Sequence, residues 1–213
     1  MKIYTEQQKD LPIYAKVDVL VAGGGPAGVG AALRAARLGM KTMIVESQHA
    51  LGGVATVGMM SNWGGRSSSK IMSEIFENQK KKKDACGLID ENDAGDDAIH
   101  HMAQIIILDE MMKEANVKIL FYTFVCGSIV ENGTLIGVII ENKSGRSVIL
   151  AKRIVDATGD GDVAASAGVP YFKGRETDGK MQPCTVMFKI GGVDYSKAVF
   201  PGSFETKVQT DKG

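Results

Sequence analysis

The chain has 213 residues, 44% of them hydrophobic and 23% charged, and its 25 Lys plus Arg balance its 25 Asp plus Glu. That composition belongs to an ordinary soluble globular chain, long enough for one good-sized core, and offers no global attraction to nucleic acid or an anionic membrane. No apolar run reaches the length of a membrane span, and residues 1–16 lack the hydrophobic core of a secretion signal.

In chain order, residues 17–22 form a short apolar run, the pattern of a strand buried on both faces. Gly23, Gly25 and Gly28 follow as G-x-G-x-x-G, with Gly24, Pro26 and Ala27 between them. The first glycine permits a tight turn, the second lets backbone approach a pyrophosphate, and the third lets a helix pack close to the strand. Pro26 suits the first position of a helix, which runs on through Leu38 and closes at Gly39. Residues 41–45 are the next strand, and Glu46 stands at its C-terminal end. There a carboxylate accepts hydrogen bonds from the ribose hydroxyls of an adenosine and repels a 2′-phosphate, which disfavours NADP. The fingerprint alone does not separate NAD from FAD.

Gly52 and Gly53 allow a second close approach of backbone, or form a simple turn. Trp63, Gly64 and Gly65 fit either core or a pocket wall, and His49 fits a surface loop. The spacing of Ile71, Met72, Ile75 and Phe76 predicts an amphipathic helix over 69–80, capped by the serines at 67–69. The lysines at 80–83 are read as its solvated end, and 84–95 as a mobile acidic loop. Asp96 and Asp97 are expected to start the next helix, with His100 and His101 in its first turns. Neighbouring helical positions point about 100° apart, so those histidines do not suit one metal.

A strand at 117–121 precedes a change to period two. Residues 124–130, 135–141 and 147–150 read as three short strands joined by Asn132-Gly133 and Ser144-Gly145, an antiparallel meander. Residues 153–157 return to a buried strand ending at Thr158-Gly159-Asp160-Gly161-Asp162, and 163–167 form a short helix with Asp160 as its N-cap. An EF-hand loop from Asp156 would need an acid or amide at 158 and Glu at 167, where Thr158 and Ala167 stand, so no metal site is expected. The three cysteines, Cys86, Cys126 and Cys184, show no C-x-x-C spacing and are read as small apolar fillers in a reduced, cytoplasmic protein.

Taken together, residues 18–28, Glu46, Leu51-Gly52-Gly53, the meander and the segment 155–162 resemble the FAD-dependent oxidoreductases of the two-dinucleotide-binding-domain type, related to fumarate-reductase-like and glutathione-reductase-like enzymes. Segments 174–176, 180–183 and 187–192 resemble a bacterial branch of that family. The resemblance implies an α/β fold: a Rossmann-like FAD-binding domain over 1–170, with a parallel sheet, an inserted three-stranded antiparallel meander and a helical or loop insertion at 66–96. It implies the beginning of an incomplete substrate domain over 171–213. Members are longer, and the chain resembles their N-terminal half, so a fragment, a truncated relative or a homo-oligomer is expected.

The resemblance gives Gly23, Gly24, Gly25, Pro26, Ala27 and Gly28 the FAD pyrophosphate and Glu46 the adenosine ribose. Gly52 and Gly53 lie along the ribityl side, and Val125 presents backbone to the adenine. Thr158, Gly159 and Asp160 close over the cofactor. The implied activity is hydride transfer between a small-molecule substrate and flavin, with Arg66, Arg175 and Lys180 as candidate anchors for an anionic substrate and no general acid or base assigned. A non-catalytic FAD-binding module completed by a partner chain is the alternative, and an NAD-dependent dehydrogenase a more distant one.

Overall fold

The computed structural model describes residues 2–60, 69–86 and 100–188, together with 191, 192, 194, 196 and 197. A six-stranded sheet holds the strands β1 (Ile13–Ala22), β2 (Thr42–Val45), β3 (Lys118–Leu120), β4 (Phe124–Glu131), β5 (Thr134–Asn142) and β6 (Gly145–Asp156). Their order is β3-β2-β1-β6-β5-β4; the first four run parallel, and β5 and β4 continue the sheet antiparallel from β6. The helices are α1 (Pro26–Arg37), α2 (Lys70–Cys86), α3 (His101–Glu114) and the short α4 (Asp162–Ser166).

The period-two alternation of the strands sorts the core into two sides. Val21 and Ile44 pack with Val29, Leu33, Ile75, Ile107 and Met111, so α1, α2 and α3 cover one face. Leu20, Ala22, Met43 and Val45 pack with Val138, Ile140, Ile149 and Val163, so the antiparallel arm and α4 cover the other. Leu20, Val21 and Ala22 are fully buried, which is why this stretch reads as a continuous apolar run. A bidentate ion pair from Arg37 to Glu74, with N–O distances of 2.6 and 2.7 Å, joins α1 to α2 at the surface. The hydrogen-bonded pair holds the Glu74 carboxyl below its ordinary pKa.

Several expectations are corrected. The segments 147–150 and 153–157, read as two strands, are one strand: β6 pairs with β5 from Asn142↔Gly145 to Gly137↔Leu150 and with β1 from Ile13↔Val148 to Ala22↔Asp156. The polar step at Lys152 does not break it, because Lys152 Nζ reaches Asp18 Oδ1 at 2.7 Å. The meander is therefore an extension of the main sheet. The four-lysine run lies inside α2 rather than at its end, with Lys82 Nζ 2.8 Å from Glu110 Oε1, and residues 84–86 are helical rather than loop. The rest of that loop, and Asp96 and Asp97, lie outside the described residues, as do Trp63, Gly64, Gly65 and Arg66.

Helix α3 begins at His101, and its N-cap is His100, whose Nδ1 accepts from Ala103 N at 3.2 Å. Cys126 and Cys184 are free and exposed rather than core fillers. No helix among the described residues is long and apolar enough to cross a membrane, and none of them form a cluster suited to a metal ion. Residues 171–188 carry neither helix nor strand.

Candidate functional site

A cavity of about 610 Å³ opens at the C-terminal ends of β1, β2 and β6. Strand β1 lies between β2 and β6, so the chain leaves β1 first to one side and then to the other. A crevice at such a reversal, outside the strand ends, is where open α/β sheets bind ligands.

The glycine turn forms the floor. Gly23 has φ +98°, and a Cβ there would stand 2.3 Å from the Ala157 carbonyl oxygen. Gly24 donates its N–H to Glu46 Oε2 at 2.6 Å, and its carbonyl accepts from Gly52 N at 2.8 Å, which ties the two glycine turns together. A Cβ on Gly25 would meet nothing within 4 Å, so its Cα faces open space. Gly25 is the N-cap of α1, yet no side chain caps that end and its first turn holds no acid. The first helical bond runs from Val29 N to the Gly25 carbonyl at 2.9 Å. The helix thus presents early N–H groups and a partial positive charge to the cavity, a ready anion site. Gly28 does not line the cavity: its Cβ would overlap the Gly23 carbonyl oxygen at 1.9 Å, so it sets how closely α1 approaches β1.

Glu46 sits on the opposite wall, 7% exposed. Its Oε1 accepts from Gln48 N at 2.7 Å and Ser47 Oγ at 3.1 Å, and its Oε2 holds Gly24 N. A carboxylate has about four acceptor positions, so roughly one remains for a ligand hydroxyl in this arrangement. The sequence reading, which gave Glu46 both ribose hydroxyls, did not foresee the backbone donors.

Gly53, with φ +51°, lines the cavity, and a Cβ on it would stand 3.0 Å from the Gly25 Cα. Gly52, with φ +101°, lies behind it and packs against Thr56. Val125 on β4, Thr158 and Gly159 also line it. Pro26 and Ala27 face the cavity as well, whereas Gly24 and Asp160 do not line it. Arg175 and Lys180 do not reach it. Arg175 Nε lies 2.9 Å from Asp178 Oδ1, and Lys180 Nζ lies 3.8 Å from Asp178 Oδ2, so one carboxylate occupies both cations.

Asp160 does not cap α4. The N-cap is Gly161, with φ +75° and no side-chain bond, and the capping is done from the strand end. Asp156 Oδ1 accepts from Thr158 N at 3.2 Å and Thr158 Oγ1 at 2.7 Å, while Asp156 Oδ2 accepts from Ala164 N at 2.9 Å. Thr158 Oγ1 in turn accepts from Asp162 N at 2.9 Å. Asp156 lines the cavity and was missed as a site residue; its signal was an acid ending a buried strand before a glycine-rich turn.

Partial burial pushes the Asp156 carboxyl up, but the hydrogen bonds from Ala164, Thr158 and Val163 outweigh it and hold the pKa below the usual aspartate value. The stabilisation is therefore fully present above the unfolded aspartate range and fades as pH falls through the lower folded value. Asp156→Asn is expected to cost about 1–2 kcal/mol at neutral pH, a figure reduced for solvent screening. Urea unfolding at several pH values checks this: the gap between wild type and variant should shrink below about pH 4. A gap unchanged down to about pH 3 would sink the assignment.

The family described as FAD dependent oxidoreductase matches residues 18–212. A dihydrolipoyl dehydrogenase from Trypanosoma brucei brucei is 57% identical over 42 residues, 20% of this chain and 9% of that protein. A thiamine thiazole synthase from Methanococcus aeolicus is 28% identical over 213 residues, covering 89% of this chain and 73% of that protein. The solved structure of L-proline dehydrogenase from P. horikoshii shares the fold, with a TM-score of 0.52 and 20% identity over 75% of this chain and 57% of that one. The chain thus spans a small part of the dehydrogenase it matches by sequence and little more than half of the one it matches by structure.

Proposed function

Because this chain belongs to the FAD dependent oxidoreductase family, we propose that its strand-end cavity holds FAD and serves hydride transfer between a small molecule and the flavin. The observation that carries the reading is the convergence of an uncapped helix N-terminus and a buried carboxylate at the reversal point of the sheet. Gly23, Gly25, Pro26 and Ala27 wrap the pyrophosphate, with Gly24 and Gly28 holding the turn behind them and the first-turn N–H groups of α1 meeting its charge. Glu46 takes a ribose hydroxyl, and Val125 offers backbone to the adenine. Gly52 and Gly53 border the ribityl side. Thr158 and Gly159 close the strand end under the direction of Asp156, with Asp160 beside them at the surface. When bound, FAD supplies the two-electron chemistry; the chain's own residues bind, orient and exclude water.

We assign residues 1–170 to the FAD-binding domain and 171–213 to the beginning of a substrate domain. The free, exposed Cys126 and Cys184 favour a reducing, cytoplasmic setting. A second reading, an FAD-binding part completed by another polypeptide, is favoured by the segment 171–188, which exposes Phe172 to 95% and Phe188 to 72%.

The test is the visible spectrum of the purified chain after FAD is added and the excess removed, run beside Gly25→Ala. Gly25 has φ −67° and room for a methyl group, so the variant is expected to melt within about 2 °C of wild type. It should nonetheless lose most of the flavin, because the methyl group occupies the pyrophosphate's path. A wild type that rejects FAD and binds NADH would move the site to the dehydrogenase reading. A variant that keeps its flavin would remove the glycine turn from the site.

A further inference from the structure

The start of α3 is held by a titratable side chain. His100, half-buried, is the N-cap of that helix, and its Nδ1 accepts from Ala103 N at 3.2 Å. Its backbone N–H donates to Gln79 Oε1 of α2 at 3.2 Å, and its carbonyl takes the first helical bond, from Gln104 N at 2.9 Å. Gln79 is itself buried, so the cap is tied into the neighbouring helix. The next residue holds a different element. His101 Nε2 lies 3.1 Å from the Met60 carbonyl oxygen, so that nitrogen carries a proton and donates it.

Serine, threonine, aspartate and asparagine are the usual N-caps, and none of them gains a positive charge. An imidazole does. Nδ1 has a single lone pair, so it accepts from Ala103 N only while that nitrogen is unprotonated. Proton and amide compete for the same electrons. The stability supplied by the cap is therefore fully present above the ordinary histidine value of about 6.5 and is lost as pH falls through it. A charged ring also sets a positive charge at the positive end of the helix dipole. Among the described residues, α2 brings Lys80, Lys81 and Lys82 in the turn after Gln79, with Lys82 Nζ 2.8 Å from Glu110 Oε1, and α3 brings His101. That mostly cationic company disfavours a further positive charge on His100. Protonation leaves the His101 donor intact, so acid acts here through His100.

The connection runs on to the strand-end cavity. Met60 donates its N–H to the Val54 carbonyl at 2.8 Å, and Gly58 donates to the Gly53 carbonyl at 2.9 Å. Gly53 and Val54 line the cavity. Met59 has φ +56°, a left-handed conformation that costs energy for a residue with a side chain, so the turn depends on the bonds that hold it.

We propose that His100 is a pH-sensitive latch: its protonation uncaps α3, and the loosened first turn releases Met60 and with it the turn 53–60 that walls the cavity.

The experiment is amide exchange on the whole chain without ligand, at about pH 7.5 and about pH 5.5, each rate divided by the intrinsic rate at that pH. In the wild type, protection of Ala103 N and Met60 N should fall roughly fivefold at the lower pH, the effect of losing one N-cap. His100→Asn, whose side chain caps without titrating, should keep its protection at both pH values. His100→Ala should show the low protection at both. The other two histidines are present in all three proteins, so their own protonation cancels in the comparison. Nitrogen NMR of the rings gives an independent reading: His100 Nδ1 should be the unprotonated nitrogen at the higher pH. A protonated Nδ1 there would overturn the proposal, as would equal wild-type protection at the two pH values, or a loss that His100→Asn shares. A loss confined to Ala103 would overturn it too, because the latch requires the Met60 turn to follow. None of these readouts uses FAD, so the latch stands or falls apart from the reading of the cavity.

Discussion

Replacing Gly28 by alanine should destabilise the chain by about 3–4 kcal/mol, lowering the melting temperature by roughly 10 °C. The methyl carbon would stand 1.9 Å from the Gly23 carbonyl oxygen and 3.3 Å from Val21 Cγ1. The nearer atom is backbone, in a turn whose own glycine is pinned by Ala157, so no side chain can swing aside. The gain of up to about 1 kcal/mol in helix propensity on removing a glycine is too small to compensate. Helix α1 must move off β1, which opens the core around Val29 and Leu33. Urea unfolding reads the effect as a lower midpoint at an unchanged slope. Flavin retention should fall as well, because the helix terminus that faces the cavity moves with the helix. A melting temperature within about 2 °C of wild type would mean that Gly28 does not set the contact. Gly25→Ala is the matched contrast, with the same added methyl group pointing into open space.

Glu46→Ala should weaken FAD binding by about 100-fold and cost about 2–3 kcal/mol of stability without any ligand. Two origins add. The carboxylate holds Gly24 N and Gln48 N through short bonds of 2.6 and 2.7 Å at a buried position, and both donors lose their partner. The ribose hydroxyl loses its acceptor too. Glu46→Gln separates the two, since its amide oxygen can keep Gly24 N in place at a smaller loss of stability. Isothermal titration with FAD and urea unfolding on both variants check the split. If Glu46→Gln binds FAD as wild type does, the charge is irrelevant to the ribose. If Glu46→Ala binds as wild type does, the carboxylate is only a brace for the loop.

What was legible in the sequence is what local chemistry dictates. The run at 17–22, the three glycines, Pro26 and Glu46 each act within a few residues, so their spacing shows strand, turn, helix and carboxylate without any partner. The strand-end cavity is lined by Gly23, Gly25, Pro26, Ala27, Glu46, Gly53, Val125, Thr158 and Gly159, and not by Gly24, Gly28, Gly52 or Asp160. The reading failed where a residue's role depends on a distant element. Asp156 looked like the end of a strand, and only the return of α4 onto it supplies the Ala164 donor. His100 looked like a residue of the first turn, because the cap of a helix is fixed by where its first hydrogen bond forms. Cys126 looked like core on composition, although the edge strand that carries it leaves it exposed.

The sequence by itself determined the strand, glycine turn and helix of the first unit and the carboxylate at the end of the next strand, since glycine conformations and strand periodicity are properties of short stretches. Tertiary structure decided the rest. It joined 147–150 and 153–157 into one strand, because the parallel ladder with β1 continues from Ala151 to Arg153 across the local break at Lys152. It committed three acceptor positions of Glu46, two to its own loop and one to Gly24 of the glycine turn. It also buried the Gln104 amide without a hydrogen-bond partner, since what a buried polar group lacks is visible only once everything around it is in place.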